Sequence, residues 1–344
     1  MCLIIFALLE NLFLQISNML ENLSTKQIIY VVILNYNNEQ STIECLNSLD
    51  LITDFELKVI VVDNNSKNPD VLKKYVSNLH DAIFIQTGVN GGYAAGNNIG
   101  IKYAIENGAE YICILNNDVI VNKDSFSDSI RILDSDPKVA FVGPSLLEYN
   151  SDIIQSQGDY ISFYSFRTIK NLNRGKHFIS QNKYNSCHAI VGACMLFKTS
   201  IINKVGLIPE EYFLNFEETE WCYRAVLQGY KNIYSFSSYV NHKGSATINC
   251  YNNLSFYYYN RNIIIFLLNI DPLKIRAYFA ILLLFVKAIV KILIGYKGKQ
   301  PNKQTNKQTN KQTNKYLLLC YVDGLLRTTR FKDFICSRGL KKKK

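Results

Sequence analysis

The stretch Tyr111–Asp118, YICILNND, is a run of five apolar or aromatic residues that stops at three short polar ones. An unbroken apolar run predicts a buried strand of the kind found in parallel sheets. In open α/β sheets, ligands bind at the edge beyond the carboxyl ends of the strands. A carboxylate there, on Asp118, is suited to bind a hard cation that in turn binds a diphosphate. By itself the polar triplet is also typical of a turn.

Two earlier segments end in the same way. The strand predicted over 28–34 stops at Asn35, and the strand predicted over 57–62 stops at Asp63. Helical segments separate the strands, and this alternation predicts a doubly wound, mostly parallel α/β sheet with helices on both faces. Because the carboxyl ends of parallel strands share one edge, we expect these polar residues to meet the end of 111–118 at a single rim.

A glycine-rich loop, GVNGGYAAGNN at 88–98, precedes a helix predicted over 99–107. Its unhindered backbone N–H groups, next to a helix N-terminus, are suited to phosphate or sugar oxygens. The loop is not G-x-G-x-x-G and does not follow the first strand, so the dinucleotide-binding fingerprint is absent. Residues 145–186 are polar and without a clear period after a strand predicted over 139–142, which indicates an irregular insertion over the rim.

The stretch Asn215–Tyr230, NFEETEWCYRAVLQGY, predicts one helix with Asn215 as its N-cap and Glu218 as the capping partner. Glu220 and Arg224 form an i,i+4 pair. Acids are stable at the positive end of a helix dipole, so a purely structural explanation is complete. A carboxylate held at a helix start near the rim is equally a well-placed general base. His242 follows a further strand, and it would complete a metal site if it shared the rim with Asp118.

The composition narrows the class of protein. Nine scattered cysteines without a C-x-x-C pair favour reduced thiols in the cytoplasm over disulfides or a zinc site. The net charge is +10, but residues 297–344 contain 14 Lys and Arg and 2 Asp and Glu, a net of +12, so the other 296 residues carry −2. A nucleic-acid-binding domain would carry its charge on the folded face, so nucleic acid is not an expected partner.

The C-terminal helices are predicted to lie on a membrane. The apolar helix predicted over 276–296 begins at Arg276 and is interrupted by Lys287 and Lys291. Each lysine would cost about 2.5–3.5 kcal/mol at a bilayer centre, so an interfacial helix is favoured over a spanning one. The basic tail would add attraction to anionic lipid, or serve only solubility. The chain start is either Met1 or Met19. The predicted segments are an apolar extension (1–26), the catalytic domain (27–250), apolar interfacial helices (251–296), a disordered KQTN-repeat linker (297–315) and a basic tail (316–344).

The ordered motifs resemble glycosyltransferase family 2, in particular its bacterial rhamnosyltransferase-like branch. The matching pieces are VVILNYN at 31–37, VVDNNS at 61–66, NGGYAAGNNIG at 90–100, LNND at 115–118, FEETEWCYR at 216–224 and HKGS at 242–245. This resemblance implies a GT-A fold and an inverting transfer of a sugar, such as rhamnose, from a nucleotide-diphosphate donor. The acceptor would be a saccharide or lipid-linked saccharide of bacterial surface polysaccharide, at the inner face of the plasma membrane.

The resemblance also assigns residues. It implies Glu218, or else Glu217, as catalytic base, and Asp118 with His242 as ligands of Mg²⁺ or Mn²⁺. The implied nucleotide-sugar-binding residues are Asn35, Asn37, Asp63, Asn90, Gly92, Asn97, Asn116 and Asn117. There are two departures from the family pattern: Asn116 replaces the first acid of D-x-D, and Glu218 is one methylene longer than the usual Asp.

Two other functions fit parts of the sequence. A nucleotidyltransferase also places nucleotide and metal on a parallel sheet, but it would show a glycine-rich basic loop after the first strand, where this chain has NYNN at 35–38. A membrane-associated scaffold that keeps the fold without turnover is the non-enzymatic alternative, which the missing acid at Asn116 supports. Metal-dependent transfer or hydrolysis of a sugar nucleotide distinguishes the enzyme from the scaffold.

Overall fold

The computed structural model describes residues 26–165, 168–244, 252–271, 273–294 and 307–338. The strands are β1 Ile28–Asn35, β2 Glu56–Asp63, β3 Ala82–Gln86, β4 Tyr111–Asn116, β5 Val119–Ile120, β6 Val139–Glu148, β7 Ile154–Ser156, β8 Asp159–Ile161, β9 Ile169–Asn171, β10 Tyr184–Cys187, β11 Cys194–Lys198 and β12 Lys231–His242. The α-helices are α1 Glu39–Leu49, α2 Asp70–Val76, α3 Gly92–Glu106, α4 Ser127–Ser135, α5 Ile202–Val205, α6 Glu217–Leu227, α7 Asn252–Ile270, α8 Ile275–Ile294, α9 Lys307–Leu325 and α10 Lys332–Arg338. Two 3₁₀ turns occur at Thr199–Ile201 and Glu210–Tyr212.

The main sheet has the strand order β10-β12-β6-β11-β4-β1-β2-β3. Strands β3, β2, β1 and β4 are mutually parallel, as the alternation of strands and helices predicts. Beyond β4 the sheet is mixed, because β11 runs antiparallel to both β4 and β6, whereas β12 runs parallel to β6. The α/β fold class is confirmed, and the parallel half carries the predicted rim.

Side chains alternate between two cores along each central strand. Val31 and Ile33 of β1 pack with α1, α2 and α4 on one face. Val32 packs with α3 and α6 on the other face. Because successive strand residues point to opposite faces, an unbroken apolar strand indicates burial on both sides, and this is the arrangement found.

Strand β6 is longer than the sequence predicts. The sequence predicts an end at Val142 because Gly143 and Pro144 follow, yet the strand continues to Glu148. The ladder with β12 is irregular at this point, since Tyr234 pairs with Gly143 but the next pair joins Tyr239 to Ser145. A proline that interrupts no regular ladder bond is tolerated there. The insertion that follows is also partly regular, since it contains β7 to β10.

The C-terminal helices form a layer against the helix that carries the glutamates. Apolar residues of α7, α8 and α9 make one core with Tyr212, Phe216 and Tyr223. Residues 307–315, expected in a disordered linker, belong to α9 as an N-terminal extension of its apolar part. In the portion of the chain that is described, no helix combines the length and apolarity needed to cross a bilayer. The predicted segment 1–26 before Lys26 and the linker residues 297–306 lie outside the described residues.

Candidate active site

Asn35 is the centre of the polar rim. It pairs with Asp63 in the register of β1 and β2, and it is fully buried. Its Nδ2 donates to Asp63 Oδ2 at 2.8 Å and to Ser66 Oγ at 3.1 Å, while its Oδ1 accepts from Thr42 Oγ1 at 2.8 Å. Asn117 Nδ2 donates to Thr42 Oγ1 at 3.0 Å, which joins the end of β4 to the same network. The predicted meeting of the strand ends is therefore observed, with Asn35 holding them together.

The turn after β2 faces the loop after β1. Asp63 Oδ1 accepts the backbone N–H of Ser66 at 2.9 Å, and Ser66 Oγ accepts that of Asn37 at 2.8 Å. Asn37 Oδ1 in turn accepts from the backbone N–H of Lys67 at 2.8 Å. Asn37 has a φ of 50°, a conformation that asparagine tolerates better than most residues. Both loops thus form one rigid wall.

The glycine loop is tied to this wall by Asn64, a residue that our site prediction missed. Its Nδ2 donates to Asn90 Oδ1 at 2.9 Å and to the carbonyl of Gly92 at 3.0 Å. Its Oδ1 accepts from the backbone N–H of Gly91 at 3.2 Å. The sequence signal was the polar run after Asp63, which offers several candidates without showing which one points toward the loop.

Helix α3 begins at Gly92 and not at the predicted residue 99, so residues 92–98 of the predicted loop are helical. Gly92 lies where the remaining glycine loop, 88–91, meets the segment before α6. Its φ is +86°, and a Cβ at this position would lie 2.2 Å from the carbonyl oxygen of Phe213. That same carbonyl accepts the backbone N–H of Tyr93 at 3.0 Å. Only glycine meets both requirements, since other residues avoid positive φ and would clash.

Asn97 has an amide that the protein satisfies only in part. It is almost fully buried in α3, and its Nδ2 donates to the carbonyl of Tyr93 at 3.0 Å. Its Oδ1 is buried without a hydrogen-bond partner within the described residues. Leaving a buried acceptor unpaired costs about 1–3 kcal/mol, so this oxygen is a candidate ligand contact. The neighbouring Asn98 is structural, since its Nδ2 donates to the carbonyl of Ile208 at 2.8 Å.

Asp118 and His242 meet beyond the end of β4. The Nε2 atom of His242 lies 3.1 Å from Oδ1 of Asp118, and both side chains are largely buried. His242 Nδ1 contacts Oε1 of Gln155, another residue that the sequence did not indicate. An amide oxygen only accepts hydrogen bonds, so Nδ1 carries the proton and Nε2 faces the carboxylate. Asn116, the departure from D-x-D, is half-buried, and its backbone N–H donates to the carbonyl of Ala193 at 2.9 Å.

This pair fits a divalent cation. With Nδ1 protonated, Nε2 and the carboxylate oxygen are both electron-pair donors unless a proton or a cation lies between them. A ligating histidine that donates its other N–H to an oxygen is the usual arrangement in metal sites. Within the described ranges, no group of three or more His, Cys, Asp or Glu side chains forms a metal cluster. Any cation here would thus take further ligands from the substrate and water, as Mg²⁺ commonly does.

Helix α6 begins differently from the prediction. Asn215 is not its N-cap, because Asn215 has a φ of 68° and Phe216, with a φ of 78°, precedes the first helical residue without a side-chain capping bond. An N-cap needs extended backbone, which neither residue has. The left-handed turn places Glu217 and Glu218 at the very start of the helix.

The third acid of this helix has a structural role. Glu220 is buried and forms an ion pair with Arg224 at 2.6 Å, as the i,i+4 spacing predicts. Its other oxygen accepts from Asn269 Nδ2 at 2.8 Å and from the hydroxyl of Tyr212. Both oxygens of the Glu220 carboxylate are therefore engaged in hydrogen bonds.

Glu217 and Glu218 are unlike Glu220. One carboxyl oxygen of each is buried without a hydrogen-bond partner in the part of the chain that the structure describes. Burial raises the pKa of Glu218 to about 7, with a further contribution from the charge of Asp159. Burial and the neighbouring Glu218 raise the pKa of Glu217 well above its ordinary value. Near neutral pH, Glu218 is therefore the carboxyl of this pair that exchanges a proton.

The surroundings of Glu218 connect it to the glycine loop. Tyr93, next to Gly92, donates its hydroxyl to the carbonyl of Gly192 at 2.7 Å. A Cβ on Gly192 would lie 2.4 Å from that hydroxyl and 3.4 Å from Cγ of Glu218. The side chains of Glu218 and Tyr93 thus converge on one backbone position. The described residues thus offer three features: glycines at the start of α3, a pair of side chains suited to a cation, and a buried carboxyl with a pKa raised to about 7.

Comparison with known proteins identifies the family. The sequence model of glycosyl transferase family 2 matches residues 30–206, slightly more than half of the chain. The chain is 28% identical over 199 residues to the low-salt glycan biosynthesis hexosyltransferase Agl10 of Haloferax volcanii, covering 57% of this chain and 60% of that protein. It is 28% identical over 204 residues to the dTDP-rhamnosyl transferase RfbF of Shigella flexneri, covering 58% and 64%. The chain thus spans less than two thirds of the length of either relative.

A solved structure shows the same architecture. The mannosyltransferase PcManGT from Pyrobaculum calidifontis, in complex with GDP-Man and Mn²⁺, superposes with a TM-score of 0.56 over 88% of each chain, at 15% sequence identity. At this identity the likeness concerns the fold alone. It confirms the GT-A type of α/β fold.

Proposed function

This chain belongs to glycosyl transferase family 2, and we propose that it is a glycosyltransferase that transfers a hexose, with rhamnose from dTDP-rhamnose as first candidate, by an inverting displacement. The observation that carries the proposal is Glu218, a buried carboxyl with a pKa raised to about 7 and one oxygen that has no hydrogen-bond partner among the described residues. An inverting transfer needs one base on the acceptor side of the sugar, and a base is most effective when its pKa lies near the working pH.

Glu218 accepts the proton of the acceptor hydroxyl in this mechanism. The hydroxyl oxygen forms the new bond to the anomeric carbon as the bond to the nucleoside diphosphate breaks. Glu217 stays protonated through this step, since burial beside Glu218 raises its pKa further. This assignment prefers Glu218 over Glu217 as the base.

The nucleotide lies against the rim in this proposal. Asn37, Asp63, Asn90, Gly92, Asn97, Asn116 and Asn117 line that side, with Asn35 and Asn64 holding the loops together. Asp118 and His242 would hold a divalent cation, Mg²⁺ or Mn²⁺. Such a cation neutralises the charge that grows on a leaving diphosphate. Support comes from Oδ1 of Asp118 and Nε2 of His242, two electron-pair donors that lie 3.1 Å apart.

The proposed setting is the cytoplasmic face of a membrane, where a saccharide or lipid-linked acceptor of surface polysaccharide synthesis would be reached. Support comes from α8, whose outer face exposes eight large apolar side chains at helical spacing. They are Ile275, Tyr278, Phe279, Leu282, Val286, Ile289, Val290 and Leu293. The opposite face of α8 packs into the C-terminal core. A surface helix that is apolar on both faces buries its outer face against another apolar medium.

The test is a panel of sugar nucleotides, dTDP-rhamnose, GDP-mannose and UDP-N-acetylglucosamine, each supplied with Mn²⁺ and lipid-linked or free saccharide acceptors. We expect release of nucleoside diphosphate coupled to a product whose anomeric configuration is opposite to that of the donor. A product of retained configuration contradicts the single displacement. A protein that binds donors without transfer or hydrolysis would instead be the catalytically inactive scaffold.

A further inference from the structure

The loop that leads into the glutamates has an unusual backbone. Phe213, Asn215 and Phe216 have φ values of 64°, 68° and 78°. None is glycine, and non-glycine residues with positive φ persist only where their surroundings impose it. Three such residues within four positions require a strong constraint from outside the loop.

A single side chain supplies much of that constraint. Asn262, fully buried on α7, donates through Nδ2 to three carbonyls of the loop, those of Tyr212 at 2.8 Å, Leu214 at 2.9 Å and Asn215 at 3.0 Å, so that one N–H is shared between two of them. Its Oδ1 accepts from Arg261 Nη1 at 2.6 Å. Because a guanidinium only donates, this bond fixes the amide with its NH₂ group toward the loop.

The same loop touches both halves of the site. The carbonyl of Phe213 accepts the backbone N–H of Tyr93 in the glycine loop. Phe216 is followed directly by Glu217 and Glu218. A shift of this loop would therefore move both the proposed base, Glu218, and the backbone of the glycine loop at Tyr93.

We propose that Asn262 is a positioning residue for the transfer reaction, which holds the left-handed turn at 212–216 so that Glu218 is presented in its buried, water-poor environment. This inference rests on the proposed role of Glu218. It brings the C-terminal helix α7 into the positioning of the proposed base, and both Asn262 and Glu218 lie beyond the matched family segment at 30–206.

A second set of contacts supports the same coupling. Asn269, two turns further along α7, donates to Glu220 Oε2 at 2.8 Å and to the hydroxyl of Tyr212 at 3.2 Å. Arg327, which follows α9, donates to Oδ1 of Asn269 at 2.6 Å and to Glu211 Oε2 at 2.8 Å. Hydrogen bonds from the C-terminal layer thus reach residues on both sides of the turn.

The test compares Asn262→Leu with Asn260→Leu in the full chain. Asn260 is on the same helix, but its Nδ2 donates to the carbonyl of Phe256 in that helix. Asn260→Leu therefore loses an amide hydrogen bond without releasing the loop. Asn262→Ser keeps one donor and serves if the leucine variant does not fold.

The first readout needs no sugar transfer. In the wild-type background, Glu218→Gln should raise the thermal midpoint at about pH 8, because it removes an ionised buried carboxyl. The groups that face Glu218 are Glu217 and Cys222 on α6, Asp159 on β8 and Tyr93 on α3. If Asn262 keeps Glu218 buried, the increase in thermal midpoint caused by Glu218→Gln should be less than half as large in the Asn262→Leu or Asn262→Ser background. In the Asn260→Leu background the increase should be as large as in wild type. An equal rise in all backgrounds overturns the inference.

The second readout is turnover of dTDP-rhamnose. We expect kcat of folded Asn262→Leu to fall about 100-fold, the scale of a misplaced catalytic group. In the pH profile of kcat, the acid limb, where activity is lost as Glu218 is protonated, should move to a lower pH than in wild type because Glu218 becomes hydrated. Lower kcat with an unmoved acid limb overturns the inference, because a purely structural defect gives that result. Failure of the wild-type enzyme to use any sugar nucleotide would count against the proposed function, while the thermal cycle still decides the role of Asn262.

Discussion

The Nε2 atom of His242 lies 3.1 Å from Oδ1 of Asp118, while Nδ1 of the same ring contacts Oε1 of Gln155. Residues 124 positions apart in the sequence are joined here because β12 pairs with β5, which places His242 opposite Val119. The register of that short pairing thus determines where the proposed cation would bind.

Gln155→Leu should weaken Mn²⁺ binding about 10- to 100-fold, since the amide orients the ring of His242. Mn²⁺ binding in the presence of nucleoside diphosphate, measured by electron paramagnetic resonance, checks this without turnover. His177→Ala is the control, because His177 pairs with Asp152 on the same insertion but both side chains are mostly exposed. Equal Mn²⁺ affinity in wild type and Gln155→Leu would contradict the proposed site.

Glu218→Gln should stabilise the folded protein at high pH. The pKa of Glu218 is raised to about 7 in the folded state, so between the ordinary carboxyl pKa and 7 the folded chain binds more protons than the unfolded one. The free energy of unfolding therefore falls as pH rises through that window. We expect Glu218→Gln to be about 1–3 kcal/mol more stable than wild type near pH 8, and little different near pH 4, by urea denaturation.

The control for this experiment is Glu106→Gln, a change at an exposed carboxyl of α3. It should leave the pH dependence of unfolding unchanged. If Glu218→Gln behaves like Glu106→Gln at both pH values, then Glu218 does not titrate near neutrality.

Gly92→Ala and Gly88→Ala separate backbone strain from steric clash. Both glycines have positive φ, +86° and +75°, so each alanine should lose about 1–2 kcal/mol from strain. Only at Gly92 would the new Cβ meet another atom, the carbonyl oxygen of Phe213. We expect Gly92→Ala to be clearly less stable in urea and to lose dTDP-rhamnose binding by calorimetry. Two variants of equal stability and donor affinity would show that the glycine loop and the 212–216 turn are not in contact.

Leu282→Glu with Ile289→Glu should release the chain from anionic phospholipid vesicles in a flotation assay. These residues lie on the exposed face of α8, at 58% and 45% exposure, and charges oppose burial in a bilayer interface. Val71→Glu, at an exposed position of α2, is the control and should float like wild type. A double variant that still floats with the vesicles would show that α8 is not the membrane-binding face.

The local part of this site could be predicted from the sequence. Asn35 and Asp63 end apolar strands, and parallel pairing alone brings such ends together. The direction of each side chain could not be predicted in the same way. Asn35 points inward and is saturated by hydrogen bonds, whereas Asn97 keeps a buried oxygen unpaired, and both are asparagines in similar polar runs.

The remaining features depend on contacts between distant segments. A helix start after Asn215 suggested an ordinary N-cap, but tertiary contacts with Asn262 impose a left-handed turn instead. Strand β6 continues past Pro144 because its partner β12 is irregular at the same point. The local propensity of a residue does not specify which distant segment it will contact, so these departures from the prediction appear only in the folded chain.

The most direct test of the account is the rate of sugar transfer by Glu218→Gln, measured at saturating dTDP-rhamnose and Mn²⁺ alongside donor affinity. The variant keeps the shape of the side chain but cannot accept the acceptor proton. We predict a fall in kcat of at least about 100-fold with donor affinity unchanged. Transfer at the wild-type rate by folded, donor-bound Glu218→Gln would contradict the assignment of Glu218 as the base.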